Sequence, residues 1–183
     1  MTACAMRSGV LLLSLLLLGA SVSADTLTVT LDNVQVDTCD TPWTEGIFDL
    51  RVIDTDVGDY TPPGNCVWFP QAEGVALMGA RLEIDTTNLL GVDEVQIDLR
   101  EVSGDGHTKI FLYEPGGVSY FQFVMSYYSG SATEQTMPIF TGGFVLGKIV
   151  ISGHEALIHE VRVLGNLTVE NEGESWGMLK SRW

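Results

Sequence analysis

Val92-Asp93-Glu94-Val95-Gln96-Ile97-Asp98-Leu99-Arg100-Glu101-Val102 alternates apolar and polar side chains with a period of two. Val95, Ile97 and Leu99 share one face, and Glu94, Gln96, Asp98 and Arg100 the other. That is the pattern of a strand buried on one side only. Upstream, Val75–Asp85 reads as a strand with Leu82 and Ile84 on one face, and Thr86–Leu90 connects the two. Downstream, Gly104-Asp105-Gly106 turns the chain into Thr108–Glu114, with Ile110 and Leu112 inward. Pro115-Gly116-Gly117 turns it again into Val118–Met125, which predicts a hairpin. After a polar loop, Tyr127–Gln135, come strands over Thr136–Phe140, Phe144–Ile151 and Ala156–Leu164. They are broken at Gly142-Gly143 and at Ser152-Gly153-His154.

Toward the start, Thr26–Leu31 alternates with Leu27, Val29 and Leu31 on one face, whereas Val34 and Val36 continue out of phase. A one-residue shift reverses the faces, so a bulge or tight bend belongs at Asp32-Asn33. Asp37–Gly46 reads as a loop, Ile47–Ile53 as a strand, and Asp54–Asn65, with two glycines and Pro62-Pro63, as a second loop. Nowhere do apolar residues recur at helical spacing for three turns. Short strands between glycine-rich turns predict an all-β, antiparallel sandwich or barrel.

The first 24 residues are different in kind. Arg7 precedes a nearly unbroken apolar run from Val10 to Leu18, and Ser21-Val22-Ser23-Ala24 supplies the small residues of a cleavage site. The run is too short to span a bilayer and reads as a secretory leader cut between Ala24 and Asp25. Residues 25–169 are then one β domain, and 170–183 form a C-terminal tail, acidic first and then carrying Trp176, Lys180, Arg182 and Trp183. The whole chain of 183 residues carries 24 acids against nine Lys plus Arg, a formal charge of −15. Such an imbalance excludes nucleic acid and anionic membrane surfaces as natural partners, since both are held by Lys and Arg.

Cys4 lies within the leader, which leaves Cys39 and Cys66. Two cysteines in an exported chain are read as a disulfide, here stapling the two loops. A reactive or metal-binding pair is the alternative, but no histidine lies nearby in sequence.

The stretch from Gly79 to Val163 resembles a group of exported bacterial jelly-roll domains. They are related in layout to galactose-binding-like carbohydrate-binding modules and are often found in surface proteins of the PEP-CTERM type. Gly79–Asp85, Val92–Leu99, Ile110–Gly117, Ile149–Gly153 and Glu155–Val163 carry the resemblance, as a pattern of strand and turn. It implies a jelly-roll fold and non-catalytic binding of glycans or other surface ligands, with a structural calcium ion in some members. This chain departs from the pattern twice. It ends without the hydrophobic helix and basic cluster of the sorting signal, so no anchor is expected. It also carries His159-Glu160 where related sequences tend to have Asp.

Four candidate chemistries can be weighed from the residues. His154-Glu155-Ala156-Leu157-Ile158-His159 nearly spells a zinc-protease signature, but its histidines are five apart where the motif needs four on one helical face. No Gly-x-Ser-x-Gly elbow occurs, so serine hydrolysis is not indicated. A pair of carboxylates for glycoside chemistry needs a cleft that linear sequence does not reveal. Asp54-Thr55-Asp56-Val57-Gly58-Asp59 crowds three carboxylates around a glycine, which lets a bent loop aim oxygens at calcium; Asp54, Asp56 and Asp59 are the candidate ligands. The competing reading is a solvated acidic loop beside the disulfide.

Aromatic residues in or beside loops are the other lead, because sugar rings stack their C–H faces on them while carboxylates and amides grip hydroxyls. Tyr127 and Tyr128, followed by Ser129-Gly130-Ser131, are the best candidates for an exposed platform, with Trp43 beside them as a ligand contact. Trp43 and Trp68 could instead pack around the disulfide. Asn166-Leu167-Thr168 matches a glycosylation acceptor, a pattern common by chance. The sequence therefore points to a secreted or periplasmic, non-catalytic module for glycan or envelope and matrix ligands. A structural or adhesion protein that binds another extracellular protein is the alternative, and a carboxylate-dependent carbohydrate-active enzyme ranks below both.

Overall fold

The computed structural model describes residues 25–32, 34–36, 38–54, 66–101, 107–117, 119–126 and 134–169. Among them are eight strands and no helix: β1 (Asp25–Val29), β2 (Trp43–Glu45), β3 (Phe48–Asp54), β4 (Trp68–Gln71), β5 (Gly74–Glu101), β6 (His107–Tyr113), β7 (Ser119–Ser126) and β8 (Gln135–Val169). All pairings are antiparallel, in the order β2-β3-β5-β8-β6-β7, with β1 on β8 and β4 on β5.

Two very long strands organise the molecule. Residues Val75–Asp85 of β5 pair with Lys148–Ile158 of β8, whereas Leu89–Leu99 has β8 on both edges. Val95, for example, faces Val163 on one side and Ile139 on the other. β5 and β8 therefore leave one layer and enter a second. The first layer contains β2, β3, the first part of β5, the middle of β8, β6 and β7. The second contains the start of β8, the second part of β5, the end of β8 and β1.

Sequence dictates this folding back. Inward residues of both layers (Leu50, Leu82, Ile84, Val95, Ile97, Leu99, Ile110, Ile151) are fully or almost fully buried and belong to one apolar cluster. A sheet with one face so dry must be covered, and with no helix among the described residues the sheet covers itself as a sandwich. At the corners the ladder breaks and frees carbonyls, which cannot stay unpaired in the interior. Buried threonines answer them: the Thr86 hydroxyl donates to the Leu146 carbonyl, and that of Thr141 to Val92 at 2.5 Å.

Thr86–Leu90, Gly142-Gly143 and Ser152–His154, expected as breaks between strands, are bends within continuous strands. Positive φ at Gly142 (73°), Gly143 (84°) and Glu155 (59°), together with register shifts, turns the chain without ending the pairing. The Asp37–Gly46 segment, expected as a loop, contains the short edge strand β2. At Leu31 (φ 54°) and Asp32 the chain turns, and both Leu31 and Val34 are buried, as the change of phase requires.

Candidate functional site

Antiparallel partners share a face, so the register maps the outer surface of the first layer. One row runs Arg51, Glu83, Val150, Phe111, and the next runs Asp49, Asp85, Lys148, Tyr113. Ile110 and Leu112 point into the core, which turns Lys109, Phe111 and Tyr113 outward. The Phe111 and Tyr113 rings lie 6.3 Å apart, tilted by 32°. The Arg81 guanidinium, 9% exposed as a residue, sits 5.7 Å from the centre of the Phe111 ring. This is cation–π distance, and it holds the phenyl ring in place.

Beside these rings is a groove of about 530 Å³, lined by Arg81, Glu83, Asp85, Tyr113, Lys148 and the turn at 114–117. Gly147 lets that turn come close: a Cβ there would stand 2.8 Å from the Pro115 nitrogen. Within the groove Glu83 accepts from Arg51 Nε (2.8 Å) and Nη2 (2.6 Å), while Lys148 Nζ lies 3.4 Å from its other oxygen. The result is a half-buried aromatic pair beside a network of charged hydrogen-bonding groups. Chemically it can stack the apolar face of a ring and hold its hydroxyls.

A second cleft, of about 500 Å³, opens where the second layer meets the β4–β5 turn and includes Asp32, Glu73, Asp98, Glu134, His159 and Glu160. Two of its acids, Asp98 and Glu160, are held by Arg162. Arg162 Nη2 donates to Asp98 at 2.6 Å, its Nε forms an ion pair with Glu160 at 2.9 Å, and Thr136 donates to Asp98 at 2.5 Å. His159 Nδ1 lies 2.5 Å from the Glu73 carbonyl. Among the described residues no three His, Cys, Asp or Glu side chains converge as a metal site.

The sequence candidates fall as follows. Cys39 and Cys66 are joined in a disulfide, their Cα atoms 6.4 Å apart. Trp43 pairs with Leu50 in register and is partly buried against the core; its ring stacks on that of Trp68, centroids 6.1 Å apart and planes within 8°. Trp43 Nε1 also donates to Glu45 at 3.3 Å. Asp54 ends β3 opposite Ala80, half-buried. Asp56, Asp59, Tyr127 and Tyr128 lie outside the described residues. His154 and His159 are on a strand, so the helical spacing that a zinc signature needs does not arise. Sequence reasoning passed over Phe111, Tyr113 and Arg81. The signal was present, since Ile110 and Leu112 inward implies two aromatics outward on the intervening positions.

No protein family matches the chain, and no curated protein does. Solved structures are distantly similar. A family two carbohydrate esterase from Cellvibrio japonicus shares 8% identity over 79% of this chain, at a TM-score of 0.47; the chain spans only 35% of that structure. The C-terminal CBM6 of LamC, a marine laminarinase from Zobellia galactanivorans, shares 13% identity over 76% of this chain and 98% of its own, at 0.41. TmCBM61, solved with β-1,4-galactotriose, shares 11% over 64% of this chain and 79% of its own, at 0.31. Carbohydrate-binding β-sandwich domains are thus among its distant structural likenesses.

Proposed function

We propose that the chain is an exported, non-catalytic glycan-binding module of jelly-roll type, its leader 1–24 removed and its tail 170–183 outside the binding domain. The observation that carries this reading is the outer-face groove, where Tyr113 stands beside Glu83, Asp85 and Lys148, with the Phe111 ring next to that of Tyr113. Stacking surface and hydroxyl-binding groups are brought together on strands, so the site needs little ordering when ligand arrives. The disulfide fits an oxidising compartment outside the cytoplasm. Tyr127 and Tyr128 stay in the proposal as further contacts, and Asp54, Asp56 and Asp59 as ligands of a structural calcium; Trp43, in register with the inward Leu50 and stacked on Trp68, faces away from this groove.

Binding of the exported protein to a glycan array tests the reading. Loss of signal in Tyr113→Ala supports the groove, and loss in Tyr127→Ala with Tyr128→Ala adds the loop. An array blank for the wild-type protein overturns the function. A second reading, attachment to an envelope or extracellular protein, is favoured by Phe140, 75% exposed on the second layer. Co-purification of such a protein, lost on removing Glu170–Trp183 or in Phe140→Ser, would support it.

A further inference from the structure

We infer that the groove beside Tyr113 is one end of a longer cleft, which takes an extended oligosaccharide laid across four strands and not a single sugar; this rests on the glycan reading above. A further hollow on the same outer face, of about 280 Å³, is lined by Pro42, Asp49, Arg51, Glu83, Asp85 and Lys148. Three of these, Glu83, Asp85 and Lys148, also line the groove of about 530 Å³ that reaches Tyr113. The two hollows therefore adjoin along a common border.

Register gives the reach of the pair. Asp49 on β3, Asp85 on β5, Lys148 on β8 and Tyr113 on β6 form one row across the sheet. Neighbouring strands lie about 4.8 Å apart, so the three intervals span roughly 14 Å. A pyranose ring is about as wide as one interval, and the row has room for a short chain. Its two ends differ in chemistry. Tyr113 offers a ring face on which one sugar can stack. At the border, the Glu83 side chain is only 13% exposed, held down between Arg51 and Lys148, so it forms a floor and not a partition. The two cations themselves stand 48% and 35% exposed. A guanidinium carries five N–H donors and an ammonium three, so both keep donors facing solvent for the hydroxyls of the following units. At the far end Asp49 is exposed and accepts from the Thr44 hydroxyl at 3.0 Å. A carboxylate has acceptor sites beyond that one bond. One sugar anchored at Tyr113, with later units hydrogen-bonded as far as Asp49, is the binding mode that results.

Calorimetric titration of the exported protein with unbranched cello-, laminari-, xylo-, manno- and β-1,4-galacto-oligosaccharides, from monosaccharide to hexasaccharide, tests this. In the backbone that binds, the tetrasaccharide should bind at least about tenfold more tightly than the disaccharide, with little gain beyond it once the row is filled. Asp49→Ala, and Arg51→Ala as a second variant that leaves Glu83 its contact with Lys148, should lose most of that gain and leave disaccharide affinity unchanged. Tyr113→Ala should weaken both lengths. Equal affinity for disaccharide and tetrasaccharide overturns the inference and leaves the groove standing, as does an array hit confined to terminal or branching sugars with no ladder bound. A gain with length that survives in both Asp49→Ala and Arg51→Ala removes the further hollow from the site and overturns the proposed path. A blank from every ladder together with a blank array overturns the glycan reading itself.

Discussion

The guanidinium of Arg81, on β5, lies 5.7 Å from the ring centre of Phe111 on β6, and the two reach each other across the intervening strand β8. The contact ties three strands together on the outer face and sets the tilt at which Phe111 meets Tyr113. Replacing Arg81 with Ala should cost about 1–2 kcal/mol, part lost stacking and part lost cover for the apolar stem. Arg81→Lys should lose roughly half of this, because ammonium keeps the charge and forfeits the planar contact. Urea denaturation of both variants is the measurement. Equal stability of wild type and Arg81→Ala would show that the contact is incidental.

Gly91, just past the bend in β5, meets Gly165, near the end of β8. A Cβ on Gly165, at φ 154°, would collide with the Gly91 carbonyl oxygen, and one on Gly91, at φ 70°, with that of Asn166. Because both obstacles are backbone, neither can swing aside. Gly165→Ala should therefore cost on the order of 3 kcal/mol or more in chemical denaturation. Gly46 makes the control: it too has a positive φ, 61°, but nothing stands within 4 Å of its would-be Cβ. There alanine should cost about 1 kcal/mol, the conformational strain alone. Similar losses at the two sites would mean that the close approach is unimportant.

The disulfide and the tryptophan pair form one clasp at the edge of the sandwich. Cys39 and Cys66 close a loop over a separation of 27 residues, which the chain-entropy account values at about 3.5 kcal/mol. Glu45 extends the clasp: one oxygen accepts from Trp43, and the other lies 3.2 Å from the Thr30 nitrogen. Cys39→Ala with Cys66→Ala should lower stability by about 2–4 kcal/mol, and reductant should do the same to the wild type. Trp43→Ala should cost on the order of 2 kcal/mol, including about 0.5–1.5 for the stacked pair itself. If the Trp43 loss vanishes once the disulfide is gone, the two act as a unit; independent losses would separate them.

The regular parts of this fold were legible because burial writes its period into the chain. Val95, Ile97 and Leu99 announce their strand, and Ile110 and Leu112 theirs, since each alternates against polar neighbours. What periodicity cannot express is continuity through a bend. Gly142-Gly143 and Ser152–His154 read as ends because glycine usually punctuates, yet here the backbone stays paired while it turns. The groove escaped for a related reason. Arg81, Glu83, Tyr113 and Lys148 come from three strands and meet only through register, which is not a local property of sequence. Loops carrying aromatics and acids drew attention to Tyr127, Tyr128 and the Asp54–Asp59 run, while the aromatics at Phe111 and Tyr113 looked like ordinary strand residues.

Calcium gives the last prediction. Asp54 is fixed at the end of β3, and the sequence sets Asp56 and Asp59 two and five residues further on. An ion held there would anchor the segment that leads to Cys66, so its binding should register as thermal stability. For a site of about 1 mM affinity at tenfold excess of calcium, linkage adds roughly 1.4 kcal/mol, or about 3–6 °C for a domain of this size. Chelator should remove that increment from the wild type. Asp54→Ala with Asp56→Ala should melt at one temperature whether calcium or chelator is present. The comparison separates an ion from simple charge relief, because deleting two clustered acids could itself raise the melting temperature, but only a bound ion makes the wild type respond to chelation. Superimposable wild-type melting curves in calcium and in chelator would end the proposal and leave Asp54–Asp59 as a solvated acidic stretch.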